Sequence, residues 1–185
     1  MEQEQMFTIV VFSENHVGLL NQLSIILTRR DVNIESISAS ACSIPGVHKI
    51  AITCRSNAEM MEKVVNQIEK RIDVIKASIY TDDELVYQEV ALYKVPTPKM
   101  LQENHVEQII RRYGARILDV TPDYTVIEKT GHNDETEALF NELKRYDIKQ
   151  FMRSGRVVVT RSPIESVSNF LDMRDQQNPA NNSQS

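Results

Sequence analysis

The chain has 185 residues, with 21 Lys plus Arg against 26 Asp plus Glu and a formal net charge of −5. Hydrophobic residues make up 41%, enough to build a core and too many for a chain kept disordered by its charge. The acidic balance argues against a general nucleic-acid binder, and apolar runs as short as Ile9-Val10-Val11-Phe12 argue against a membrane-spanning helix.

Periodicity predicts the elements in a clear order. Met6 to Ser13 is apolar on both faces, as in a central strand. Gly18 to Arg30 reads as a helix, with Leu19, Leu20, Leu23, Ile26 and Leu27 on one face. Asn33 to Ser43 alternates, with Ile37, Ala39 and Ala41 on one side and serines on the other. After the Pro45-Gly46 turn, Val47 to Arg55 alternates again, and the two segments read as a hairpin. Ser56 followed by Glu59 predicts a capping box for a helix carrying Met61, Val64, Val65, Ile68 and Ile72. Val74 to Tyr80 is a fourth strand.

The acidic stretch Thr81-Asp82-Asp83-Glu84 reads as a linker, and the same order then recurs. Leu85 to Val95 is a strand, Lys99 to Tyr113 a helix ended by Gly114, and Ala115 to Val120 and Tyr124 to Thr130 a strand pair around Thr121-Pro122-Asp123. A helix begins at Gly131-His132-Asn133 with Asp134, Glu135 and Glu137 near its start and runs to about Tyr146. A last strand region, Ile148 to Thr160, is interrupted at Ser154-Gly155. The expected fold is α+β: two consecutive ferredoxin-like βαββαβ domains, at 1–81 and 82–161. Residues 162–185 are polar toward the end and are expected to be a disordered tail.

Several chemistries are missing. The strand from Val47 to Cys54 has none of the aromatic side chains that an RNA-binding sheet stacks on bases. Cys42 and Cys54 are too few for a disulfide scaffold and too far apart for a C-x-x-C metal site, so both read as packed in apolar surroundings. The acidic opening Met1-Glu2-Gln3-Glu4-Gln5 does not look like a secretory signal, and a reduced, cytoplasmic setting is expected. No Walker loop, G-x-G-x-x-G, H-E-x-x-H or G-x-S-x-G occurs. His48 shares the apolar face of its strand and reads as a packed, hydrogen-bonded residue; His105 and His132 fall at helix edges. No catalytic or metal-binding residue is assigned in this chain.

The loop Ser13-Glu14-Asn15-His16-Val17-Gly18-Leu19-Leu20 is the one suggestive constellation. A loop entering a helix offers free backbone N–H groups and a positive dipole end, which suit a small carboxylate. Gly18 permits close approach, and the Asn15 amide both donates and accepts. An ordinary helix start, with Asn15 as its cap and Gly18 as filler, is the commoner reading of the same residues. Asn33-Ile34 reads either as a turn after a helix or as part of a site. Arg153-Ser154-Gly155 reads either as an interface feature or as a strand irregularity.

Glu14-Asn15-His16-Val17-Gly18-Leu19-Leu20 and Val32-Asn33-Ile34-Glu35-Ser36-Ile37 resemble the segments of an ACT domain. The chain from Met6 to Arg161 resembles the small regulatory subunits of acetolactate synthase (acetohydroxyacid synthase). Arg71-Ile72-Asp73-Val74-Ile75, Ile117-Leu118-Asp119-Val120-Thr121-Pro122 and Arg153-Ser154-Gly155 carry that further match. The resemblance implies a non-catalytic subunit that stimulates a large catalytic partner and confers feedback inhibition, typically by valine, in branched-chain amino-acid synthesis. That partner uses thiamine diphosphate, Mg²⁺ and FAD. ACT domains of this family form a homodimer with the effector at the interface. By this resemblance Asn15, His16, Val17, Gly18, Leu19 and Leu20 face the effector, with Asn33 and Ile34 from the neighbouring subunit. Family loops often carry Pro where this chain has Val17. The alternative reading is a free-standing amino-acid sensor acting on a transcription or signalling partner.

Overall fold

The computed structural model describes residues 4–102, 105–163 and Val167. These divide into two compact units: the described residues up to Val86 together with those from Val158, and Tyr87–Val157. The division falls five residues after the expected boundary, within one long strand, and the described residues from Val158 onward belong to the first unit.

The first unit runs β1 (Gln5–Glu14), α1 (Leu19–Thr28), β2 (Ile34–Ala41), β3 (Val47–Ser56), α2 (Ala58–Ile68), β4 (Val74–Tyr80). Its antiparallel sheet has the order β2-β3-β1-β4. β1 lies inside the sheet, which explains its two apolar faces. Phe7, Ile9 and Val11 meet Leu23, Ile26 and Leu27 of α1 and Met61, Val64 and Ile68 of α2 in one core. On the other face Val10 and Phe12 are also buried, in a cleft of about 250 Å³ shared with Lys49, Tyr80 and Val159. The Lys49 ammonium donates to the Val158 carbonyl there at 2.8 Å. The alternation predicted for β2 and β3 holds: Ile37 faces Ile52 and Ala39 faces Ile50, while the hydroxyls of Ser36 and Thr53 bond at 2.6 Å on the opposite face.

The second unit is built from β5 (Leu85–Pro96), which begins in the first, then α3 (Thr97–Gln102), α4 (Val106–Arg112), β6 (Arg116–Val120), β7 (Tyr124–Gly131), α5 (Asn133–Leu143) and β8 (Gln150–Arg153). Its order, β6-β7-β5-β8, repeats that of the first sheet; β9 (Val157–Thr160) pairs with β5 outside that order. Ala91, Tyr93, Val95, Ile109, Ile127, Leu139 and Tyr146 form its core. The Tyr93 hydroxyl donates to the Thr136 carbonyl at 2.7 Å, satisfying the phenol within that core. Thr121 closes the β6–β7 turn, its amide donating to the Tyr124 carbonyl and its hydroxyl accepting from the Tyr124 amide.

Several local expectations need correction. The cap of α2 is Asn57, whose side chain accepts from the Met60 amide at 2.8 Å; Ser56 ends β3. Of the helix expected over Lys99–Tyr113, the described residues form two short helices, Thr97–Gln102 and Val106–Arg112. His48 is half-buried, but its side chain makes no hydrogen bond among the described residues. Of the expected disordered tail, only Ser162, Pro163 and Val167 lie among the described residues, and Val167 is fully buried.

The two cysteines differ. Cys54 is in the core, and burial, with the Glu35 charge adding, pushes its thiol from 9.0 up to about 11. Cys42 instead lies just beyond β2, partly exposed, accepting from the Ile44 amide at 3.4 Å. In the native chain at pH 8, Cys42 is expected to react with a neutral alkylating reagent and Cys54 only after unfolding; equal rates for both would contradict this placement. A raised acid pKa favours the folded state below the unfolded value. Cys54 therefore contributes stability that is lost as pH climbs from 9.0 toward about 11.

Candidate functional site

The loop between β1 and α1 does not start its helix in the ordinary way. The residue at the cap position is Gly18, at φ +90°, with no side chain capping the first turn. That left-handed conformation is why glycine is needed there. Asn15 is not the cap: its side chain and amide meet no partner among the described residues, as do the amides of Val17 and Gly18. The first turn of α1 carries no acidic residue, so its positive dipole end stays uncompensated. A cluster of donors and a helix end of the right sign thus face solvent together.

His16 holds this loop to the turn before β4. Its Nδ1 lies 2.7 Å from the Asp73 carboxylate and its Nε2 3.5 Å from that of Glu14. The Glu14 amide donates to the Asp73 carbonyl at 3.0 Å, and the His16 amide to the Glu14 carbonyl at 3.0 Å. Ser13, which faces His48 across the β1–β3 ladder, is fully buried with an unpartnered hydroxyl among the described residues. Asp73 is the member that sequence reasoning missed. It lies in a stretch that carries the family resemblance, but its contact to His16 spans 57 residues, and no local pattern signals such a pairing.

The other site residues divide. Val17 is fully exposed at the loop tip, Leu20 is exposed on the first turn, and Leu19 is buried in the core. Asn33 is exposed, and Ile34 packs against the core at the start of β2. Within one chain the structure does not bring Asn33 and Ile34 to the loop. Ile34 lies opposite Cys54, while Glu14 lies opposite Val47. Seven residues of β3 separate those pairs, about 23 Å at roughly 3.3 Å per residue.

Arg153-Ser154-Gly155 continues the strand pairing at the end of β8. The Ser154 amide donates to the Val90 carbonyl at 2.9 Å, and the Ser154 hydroxyl accepts from the Val90 amide at 2.9 Å, so a side chain extends the ladder beyond β8. Arg153 turns to the helix face, 3.2 Å from Glu89 and 3.3 Å from the Thr136 hydroxyl.

Comparison with known proteins agrees with this architecture. Residues 9–76 match the sequence profile of the AHAS small subunit-like ACT domain, and residues 88–162 that of the small subunit of acetolactate synthase. The acetolactate synthase small subunit of Bacillus subtilis is 32% identical over 155 residues, covering 83% of this chain and 90% of that protein. That of Aquifex aeolicus is 32% identical over 153 residues, covering 83% and 80%. The crystal structure of the acetolactate synthase small subunit from Thermotoga maritima superposes with a TM-score of 0.77 at 23% identity, covering 86% of this chain and 99% of that one, which supports the fold. With both halves matched in order and relatives aligned over most of their length, the chain belongs to the acetolactate synthase small-subunit family.

Proposed function

We propose that this chain stimulates a catalytic subunit of acetolactate synthase and makes it sensitive to a branched-chain amino acid, valine first. The observation that carries the effector part is the uncapped start of α1. Its loop amides suit the effector's carboxylate, the Asn15 amide oxygen suits its ammonium, and the missing acidic residue leaves the dipole free for an anion. Thiamine diphosphate, Mg²⁺ and FAD belong in this reading to the catalytic partner.

The effector site is completed by a second copy. β2 is an edge strand of its sheet, with Ile37 exposed beside small Ser and Ala residues. Two β2 edges pairing antiparallel around a two-fold bring the start of one β2 beside the end of the other. Asn33 and Ile34 of one chain then approach the Ala41–His48 end of its neighbour, the end from which the loop departs. Ile34 supplies an apolar wall for the effector's side chain. Discrimination between valine and leucine rests on about one methylene, worth roughly 1–3 kcal/mol.

A thermal-shift panel of the full chain against single amino acids tests the effector. At a hundred times Kd a ligand adds about 2.7 kcal/mol, which for a chain of this size raises Tm by roughly 5–11 °C. The expected result is a rise with valine, and a smaller or equal one with leucine or isoleucine. A rise confined to a chemically different amino acid would point instead to a sensor outside this pathway.

A further inference from the structure

We propose that Asp73 is a positioning residue for the effector loop: it acts through His16, and neither of the two side chains touches the effector. This role rests on the effector reading given above and adds to it a residue from outside the loop.

Asp73 holds the loop at two points. Its backbone carbonyl accepts from the Glu14 amide at 3.0 Å, where the loop leaves β1. Its carboxylate lies 2.7 Å from Nδ1 of His16, in the middle of the loop. The Asp73 side chain is only 15% exposed, and His16 is the sole partner of its carboxylate among the described residues. A carboxylate so placed is costly to leave unpaired, and its charge is screened less than one in open water. Glu14, the other acid facing the imidazole, is 59% exposed and lies 3.5 Å from Nε2. Asp73 is therefore the group that sets where the ring points.

The loop has little else to hold it. Among the described residues the amides of Asn15, Val17 and Gly18 are unbonded, as is the Asn15 side chain. Both backbone groups of His16 are occupied, the amide by the Glu14 carbonyl at 3.0 Å and the carbonyl by the Leu19 amide at 3.4 Å. With its ring engaged by Asp73 as well, His16 has no donor left for the effector. It serves the effector by standing still between two residues that carry idle donors. Holding His16 fixes the peptide plane it shares with Val17, and so the direction of the Val17 amide. Donors held in place before the ligand arrives bind it more tightly, because less ordering remains to be done.

Calorimetric titration of the full chain with valine tests this, using the wild type, Asp73→Ala, Asp73→Asn, His16→Ala and the double alanine variant. Asp73→Ala is expected to weaken valine about tenfold, as when the share of chains with a competent loop falls to about a tenth. His16→Ala is expected to do the same. The double variant is expected to be no weaker than either, because residues that act as one unit are not additive. Asp73→Asn, closest in shape, keeps an acceptor for Nδ1–H and is expected to recover part of the loss. A merely structural role would lower Tm without moving an affinity measured well below it. Nitrogen NMR of the ligand-free chain gives a second readout. The hydrogen bond to Asp73 places the proton of the neutral ring on Nδ1, and Asp73→Ala is expected to move it to Nε2. Unchanged affinity in both Asp73 variants, additive losses in the double variant, or a ring protonated on Nε2 in the wild type would each overturn the proposal. A wild-type chain that binds no branched-chain amino acid would overturn the effector reading itself and this role with it, an outcome distinct from the other three.

Discussion

Glu89→Ala is expected to lower stability by about 3–5 kcal/mol, the cost of stranding buried charge when one partner of a pair is removed. Glu89 and Arg156 are each only 6% exposed. One Glu89 oxygen lies 3.4 Å from Nε of Arg156 and the other 3.2 Å from Nε of Arg153. The Arg156 guanidinium also stacks 3.9 Å from the centre of the Tyr87 ring, and Arg153 reaches toward Glu137 at 3.9 Å. The Glu89 carboxylate thus lies between two guanidiniums, with Arg156 buried like itself and Arg153 partly exposed. The expected fall in Tm is about 6–20 °C. Glu89→Gln keeps the shape and removes only the charge, so it is expected to recover little of that loss. A fall under about 2 °C for Glu89→Ala, the equivalent of less than 1 kcal/mol, would show that the two arginines find other compensation.

Gly18→Asp is expected to abolish the Tm rise produced by the effector while leaving a folded chain. A Cβ at Gly18 would meet nothing within 4 Å, so the substitution is not blocked by crowding. It acts in two ways. The backbone at φ +90° costs a residue with a side chain about 1–2 kcal/mol, and the new carboxylate competes for the donors meant for the effector's own. Gly18→Ala isolates the first effect: Tm should fall by about 2–8 °C, with an effector response remaining. A full response in Gly18→Asp would remove the helix start from the site.

Most of the fold was legible because apolar residues recur with the period of the element that buries them. The stripe from Leu19 to Leu27 and the alternation from Ser36 to Ala41 each specify one face, and the register of β2 on β3 follows from Ser36 onward. The misses share a physical cause, since each depends on a contact that no local pattern carries. Asn57 outcompetes Ser56 as a cap because β3 continues through Ser56. Glu89 follows Leu85 and Tyr87 on the inward face of β5, where a carboxylate reads as a solvent residue until its two arginines, more than sixty residues later in the chain, are placed.

The candidate site was legible in a different way. The loop residues stood out by type, but that Asn15 does not cap the helix could be read only from the left-handed Gly18 at the cap position and the idle amide of Asn15. The separation of Asn33 and Ile34 from that loop within one chain could be read only from the sheet register. In the proposed reading the site is therefore one that two chains share.

The central claim is regulation of a catalytic subunit, and reconstitution tests it most directly. Acetolactate formation by the catalytic subunit from the same organism is measured alone, with this chain, and with this chain plus valine. The expected result is a faster reaction with the chain, inhibition by valine only when the chain is present, and co-migration of the two proteins. An unchanged rate, with no co-migration and no response to valine, would contradict it.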